Sequence, residues 1–501
     1  MALNPKKIYN EFKKKVIDKE SAVDSLIYLI ENAESDETRL KCIKTLQKIS
    51  SKNDKTFSIL ENLLISDSNE EIRILAANNL DVLFQEKALA PLQWTLEYEK
   101  SMSWQFILDI ISIIRNFNNQ KAKSIFVEKI KKFDNYKFNK SLSFLFESGE
   151  IHNYDIDELA NIIANYVVIK FFEEVLKVLN YDVANGLVSE IDLSFTSNNN
   201  SGWKVLKDLS KFISIFKNLK KLELRSNRIG NFPISLISLY SLKYLDLSHN
   251  NLNKLPDRIH ALKSLEYLNL GYNSLTEIPN SIGSLTKLKI LDLKQNKLTI
   301  LPTSIGNLPC LEVLNLHGNQ LNILPSALEN LSSLKKLKLG LNNLHAVPEW
   351  VKNLHNLKKL GLGGNKSLSN FQEWIDFLPP LVELNLYDND IKKLPDSIGS
   401  LNSLEFLKLP NNKLTALPES FMKLTSLKTL DLSWNNITEL PEWISSLSSL
   451  EELNLRGNKL EALPETISSL SSLKILNITL NKKDIIELPK DLQKKGLQIV
   501  K

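Results

Sequence analysis

The chain has 501 residues, 43% of them hydrophobic and 24% charged, with a formal net charge of +5. That length holds two or three domains with ample core, and the composition is ordinary for a globular protein. No apolar run approaches the ~18 residues that a membrane helix needs. The first residues, Met1-Ala2-Leu3-Asn4-Pro5-Lys6-Lys7, have no apolar core and do not read as a secretory signal. The two cysteines, Cys42 and Cys310, lie far apart, so no disulfide framework is expected and a reducing, cytoplasmic setting is. The charge is uneven: residues 1–200 carry −5 and residues 201–501 carry +10. A basic second part favours acidic partners. Its lysines are spread around the repeats, which argues against nucleic acid and for a solvated surface.

Residues 1–186 show helical periodicity. Leu40, Ile43, Leu46 and Ile49 mark one apolar face, and Ile72, Leu75, Ala76, Leu80 and Leu83 mark another. The two segments align at an offset of 34, with Arg39 matching Arg73 and Leu46 matching Leu80. The helices before them match as well, through Leu26, Leu29 and Ile30 against Leu60, Leu63 and Leu64. This pattern resembles HEAT-type helical hairpins, and the resemblance implies an all-α helical-repeat domain. A third hairpin is expected at 86–117, without the arginine. Residues 120–185 read as further helix with no fixed register.

Residues 187–218 form the expected junction and cap. Ile191-Asp192-Leu193 reads as a degenerate first strand. Ser197-Asn198-Asn199-Asn200-Ser201-Gly202 is a loop signal, where proteolysis would cut first. Trp203, Leu206, Leu209, Phe212 and Phe216 then suggest a capping helix, because terminal repeats are atypical.

From residue 219 a different period takes over. Asparagine closes the phrase L-x-x-L-x-[LI]-x-x-N twelve times, from Asn227 to Asn481, at steps of 23 and once of 24. A fixed period of this size marks a solenoid, whose units bury their apolar sides only by stacking. The alternating leucines read as a short strand. All units run the same way, so the strands must be parallel. A buried asparagine amide could satisfy the backbone where each strand turns off, giving a ladder along the stack. Leu-Pro then opens a return segment, where proline's fixed φ and missing N–H suit the start of a helical turn. An apolar pair such as Ile282/Leu285 closes the core. These motifs resemble the leucine-rich repeat family. The phrase Leu394-Pro395-Asp396-Ser397-Ile398-Gly399-Ser400-Leu401 is similar to the Ras-group type. The resemblance covers 219–501 and implies an α/β solenoid, a curved parallel-sheet horseshoe of about twelve repeats. It also implies a non-catalytic interaction scaffold or adaptor whose partner is a protein, with a small Ras-like GTPase as the partner class. The alternative is a regulatory or targeting subunit docking onto a separate kinase, phosphatase or ligase. At the far end, Leu497-Gln498-Ile499-Val500 is expected to add a closing strand, with Lys494, Lys495 and Lys501 discouraging edge pairing.

No enzyme signature is present: no phosphate-binding loop, no His-Glu-x-x-His, no paired-cysteine zinc spacing and no G-x-S-x-G. Gly361-Leu362-Gly363-Gly364 lies within a repeat strand and lacks the last glycine of a dinucleotide turn. The six histidines form no ligand cluster, so no cofactor is expected. Side chains alternate across a strand, so the third, fifth and seventh residues of each phrase should face the concave side, with the eighth at its rim. Large aromatics there point to binding, because aromatics carry much of the energy of interfaces. One candidate patch holds Tyr244, Asp246, His249, Tyr267, Asn269 and Tyr272. A second holds Tyr387, Phe406, Trp434 and Arg456. Between them lies a basic, glycine-rich stretch through Lys336, Lys338 and Lys359. Lys338 is its candidate contact. The aromatics are expected to have no folding role that a polar residue could not fill.

Overall fold

A computed structural model describes residues 4–98, 103–177, 179–198, 206–207, 209–368, 374–482, 488–492 and 496–500. The chain divides into two compact units, Met1–Glu190 and Ile191–Lys501.

The first unit is built of antiparallel helices that alternate with short polar turns. Pairs such as Lys19–Asn32 with Asp36–Ile49, and Asp54–Ser66 with Glu70–Phe84, pack against each other. Their starts are capped by short polar side chains that accept the first free N–H groups. Asp18 takes the Ser21 N–H at 2.7 Å, and Asn53 takes the Thr56 N–H at 2.9 Å. Leu26, Ile43, Leu46, Leu60 and Leu80 are fully buried. Leu40 and Leu75, on the edge of each face, are half-buried. Polar side chains at successive helix starts bind one another 33 residues apart: Asn69 to Asp36 at 2.7 Å, Ser103 to Glu70 at 2.7 Å and Asn119 to Glu86 at 3.1 Å. The matched arginines differ. Arg39 is ion-paired with Asp36 and Asp67, whereas Arg73 is buried, donates from Nε to the Leu64 carbonyl at 2.6 Å and lies 4.7 Å from the Phe106 ring centroid.

The expectation of helix through residue 185 fails at its end. Ile156–Leu176 is the last long helix, and Asn180–Ala184 is a strand neighbouring Leu187–Asp192. The two are joined by Asn185 and Gly186, both left-handed at φ 51° and 74°. Two consecutive positive φ values define the tight hairpin turn that Asn-Gly favours.

In the second unit twelve three-residue strands, Lys221–Glu223 to Ile475–Asn477, pair in parallel and in chain order, and Gln498–Val500 closes the series as expected. The register is constant. Tyr244, Leu245 and Asp246 face Tyr267, Leu268 and Asn269, which place each leucine row into the core. Most described return segments are single 3-10 turns whose cap is the proline of Leu-Pro, as in Pro279 before Asn280–Ser284. Neighbouring turns approach closely: a Cβ on Gly306 would stand 2.1 Å from the Ala327 carbonyl oxygen. The asparagines behave as a ladder. Asn319 donates to the Leu293 and Leu316 carbonyls at 3.0 and 2.9 Å and accepts the Leu298 N–H at 3.0 Å. Eleven of the twelve are buried, and Asn481 in the last repeat is half-buried. The ladder crosses the irregular repeat, where the Asn365 N–H donates to Asn389 at 2.8 Å. Phe371, which replaces the usual proline there, lies outside the described residues, as do Asn199 to Trp203 of the junction, Lys494, Lys495 and Lys501. Among the described residues no helix is long and apolar enough to cross a membrane.

Candidate docking surface on the strand-lined face

The residue before each ladder asparagine leaves the strand in the left-handed region, as at His249 (φ 55°), Tyr272 (56°), Leu341 (52°) and Trp434 (55°). This turn lays the eighth side chain flat along the stack, over the next repeat. His249 and Tyr272 stack at 4.1 Å between centroids and 15° between planes. Trp434 covers Gly457, where a Cβ would meet its ring at 2.6 Å, and the Arg456 guanidinium lies 5.8 Å from the ring centroid. Tyr272 and Trp434 remain 43% and 50% exposed.

Tyr244 and Tyr267, cross-strand neighbours, stack at 4.1 Å with their planes 4° apart, and the Lys221 ammonium sits 5.3 Å from the Tyr244 ring. Burial first, then the hydrogen bond to Tyr267, raises the Tyr244 phenol well above the ordinary range. The Tyr267 phenol is raised too, mainly by burial. The pair therefore has a folding role, contrary to the sequence expectation: each ring supplies the other's cover. The second group is not gathered in this way. Tyr387 leans over Gly363, Phe406 stands in a strand opposite Glu383 and Thr429, and among the described residues no ring contact joins Tyr387, Phe406 and Trp434.

Asp246 and Asn269 serve the backbone. Asp246 accepts the Ser248 N–H at 2.7 Å and the Asn269 amide at 3.0 Å, and Asn269 accepts the Gly271 N–H at 3.0 Å. The same bond, donated by the seventh N–H to the fifth-position side-chain oxygen, recurs at Asp292, Asn315, Asn385, Asp431, Asn454 and Asn477. A column of Asp and Asn two residues before an otherwise unpaired N–H is the sequence signal for it.

That second ladder breaks at Lys338 and Gly361. Around them the face opens into a hollow of about 260 Å³, walled by Lys336, Lys338, Lys359, Lys294, His317 and Tyr387. Lys294 and His317 are absent from the sequence-based candidates because each stands one or two repeats away from the lysine run. Lys359 is paired with Glu383 at 3.0 Å, and Lys294 lies 3.8 Å from Asp292. Lys336 and Lys338 make no ion pair among the described residues. Burial first, then Lys338 and Lys359, lowers the Lys336 pKa from its ordinary value. Burial, then Lys338 and Lys294, likewise lowers that of His317. No group of His, Cys, Asp and Glu among the described residues could hold a metal.

A right-ordered stack of strand–turn–return units with an open, strand-lined face defines a repeat solenoid. The leucine-rich repeat region profile matches residues 204–377 and 375–484, and the chain belongs to the leucine-rich repeat family. Such folds present extended binding surfaces and commonly serve as protein-interaction modules. Among solved structures, the chain is similar to a leucine-rich repeat protein of Leptospira interrogans, at 30% identity over 63% of this chain and 93% of that one, with a TM-score of 0.44. It is also similar to the ectodomain of the receptor kinase GASSHO1/SCHENGEN3 of Arabidopsis thaliana, at 29% identity over 54% and 37% of the two chains, TM-score 0.44. A third is an internalin of Listeria monocytogenes, at 22% identity over 57% and 82%, TM-score 0.47. No curated protein matches the sequence significantly.

Proposed function

We propose that the protein is a non-catalytic scaffold or adaptor that docks a protein partner along the strand-lined face of its repeat unit. One observation carries this reading: the eighth position of the repeat, whose residue the core does not need and which elsewhere holds residues such as Ser226, Gln295, Gly318 and Asn411, holds Tyr272 and Trp434, 43% and 50% exposed. Exposed aromatics on a rigid sheet are the usual anchors of interfaces. The finer readings follow from the sequence resemblance. The 23-residue step with Leu-Pro and Ile-Gly supports a Ras-group assignment, and with it a small Ras-like GTPase as partner in the cytoplasm. The 34-residue match in the first unit, with its side-chain bonds 33 residues apart, supports a HEAT-like array as a second docking surface.

The test is recovery of the partner on the immobilised full chain, its identification, and titration with purified components. Tyr267→Ala and Trp434→Ala should each weaken the complex by about 2 kcal/mol, while Ile323→Lys, on an exposed residue outside the strands, should not. Undiminished affinity in both aromatic variants, with the fold intact, would place the site elsewhere.

A further inference from the structure

The fifth position of the repeat is an acceptor position. In eight repeats an Asp or Asn there accepts the N–H of the seventh residue. Lys408 also departs from the rule, but its seventh residue is Pro410, which has no N–H to satisfy. Glu223 in the first repeat departs as well, its carboxylate paired with Lys221 at 2.8 Å. Lys338 and Gly361 depart by having no side-chain oxygen at the position at all. The N–H groups of Gly340 and Gly363 find no acceptor among the described residues. Both glycines line the hollow, and above Gly361 the space is open: a Cβ there would meet nothing closer than the Lys338 Cα at 3.9 Å. Thus two adjacent repeats lack their oxygen acceptor at the place where Lys336 and Lys338 make no ion pair among the described residues.

We propose that a carboxylate from an acidic segment of a protein partner enters this hollow and takes the place of the missing Asp/Asn side chain. One oxygen would accept the Gly363 N–H, and Lys336 and Lys338 would flank the charge. A buried N–H and unpaired cations are both costly to leave unmet, and one carboxylate meets both. The inference rests on the reading that this face docks a protein. A nucleic acid fits less well. It carries a phosphate every few ångströms, and a backbone running along the sheet would meet Asp246 and Asp292 on one side and Asp388 and Asp431 on the other. Two or three acidic side chains span about 10 Å, the width of three strands, and meet Lys336 and Lys338, with Glu383, held by Lys359 at 3.0 Å, as the one carboxylate among the described lining residues.

The test uses the full chain and a fluorescein-labelled hexaglutamate peptide, followed by anisotropy at low salt, with hexaglutamine and hexathymidylate as comparison probes. Hexaglutamate should bind and hexaglutamine should not. Lys336→Gln with Lys338→Gln should weaken hexaglutamate at least tenfold. Gly361→Asp, which rebuilds the missing carboxylate from within, should weaken it as much while its thermal midpoint stays at or above that of the wild type. Lys408→Gln should leave binding within twofold. Equal losses for Lys408→Gln and the hollow variants would overturn the site. So would hexathymidylate binding as tightly and failing in the same variants, which would make the hollow a phosphate site. A purified partner that tolerates Gly361→Asp but is lost with Tyr267→Ala would overturn the hollow and leave docking on this face intact. A partner indifferent to both would remove the docking reading, and the peptide titration would still decide the hollow.

Discussion

The asparagine ladder and the lysine–glycine hollow treat polar groups in opposite ways on neighbouring columns of one sheet. In the ladder eleven of the twelve amides are buried, and a typical one uses both donors and its acceptor: Asn296 donates to the Leu270 and Leu293 carbonyls and accepts the Leu275 N–H, all at 3.0 Å. In the hollow, the Gly340 and Gly363 N–H groups and the Lys336 and Lys338 ammonium groups have no hydrogen-bond or ion-pair partner among the described residues, and burial first, then the neighbouring charges, lowers the proton affinity of Lys336 and His317. The Tyr244–Tyr267 end lies between these extremes, half-buried and satisfied by its own neighbours. A residue that the fold completes is weak evidence of binding; one that the fold leaves incomplete is stronger evidence. By that measure the hollow is a better candidate than the tyrosine pair.

The contrast is sharpest at Asn319. Asn319→Ala removes one acceptor and two donors at once, and should cost about 1–3 kcal/mol, read as a lowered denaturation midpoint. Asn481→Ala should cost less, because the last repeat leaves that residue half-buried. Equal costs at the two sites would mean that burial does not set the value of the ladder. Next in size comes the tyrosine pair. A double-mutant cycle on Tyr244→Ala and Tyr267→Ala should give a coupling of about 0.5–1.5 kcal/mol. No coupling would return the rings to the status of unsupported surface aromatics, and would strengthen their claim as contacts.

The sheet, its parallel order and the buried asparagines were legible because the same amide in the same phrase needs the same backbone partners every time. Which side chains share the open face was legible from period two alone. Contacts between repeats were less so. The 23-residue step puts Tyr244 beside Tyr267, but only the constant register shows that the rings stack. The acceptor column through Asp246, Asn269, Asp292 and Asn315 is plain in the sequence once its backbone bond is known. Without that bond, Asp246 and Asn269 read as partner contacts, and the break at Gly361 reads as glycine-rich surface. The hairpin at Asn185-Gly186 carried its signal in two residues, outweighed by the apolar run before it. The arrangement of His317 and Lys294 around the hollow was not legible, since each reaches it from a different repeat.

The two smallest effects probe the hollow without any ligand. Lys336→Gln removes one of several mutually repelling cations, and should raise stability by no more than about 0.5 kcal/mol, since the group is partly exposed and screened. A loss instead would mean that Lys336 is held by an interaction of its own. His317 gives the pH test. Its folded-state pKa lies below the ordinary histidine value of about 6.5, by burial first and then by Lys338 and Lys294. The unfolded chain therefore takes up the proton first as pH falls. Stability is fully present above about pH 6.5 and declines as pH drops toward the folded-state pKa, below which this contribution is gone. His317→Gln should flatten that part of the acid limb. Lys338→Gln should flatten it only in part, because burial, the larger cause, stays in place. Parallel acid limbs in the wild type and His317→Gln would show that the imidazole titrates freely, and that the hollow is more open to water than its lining implies.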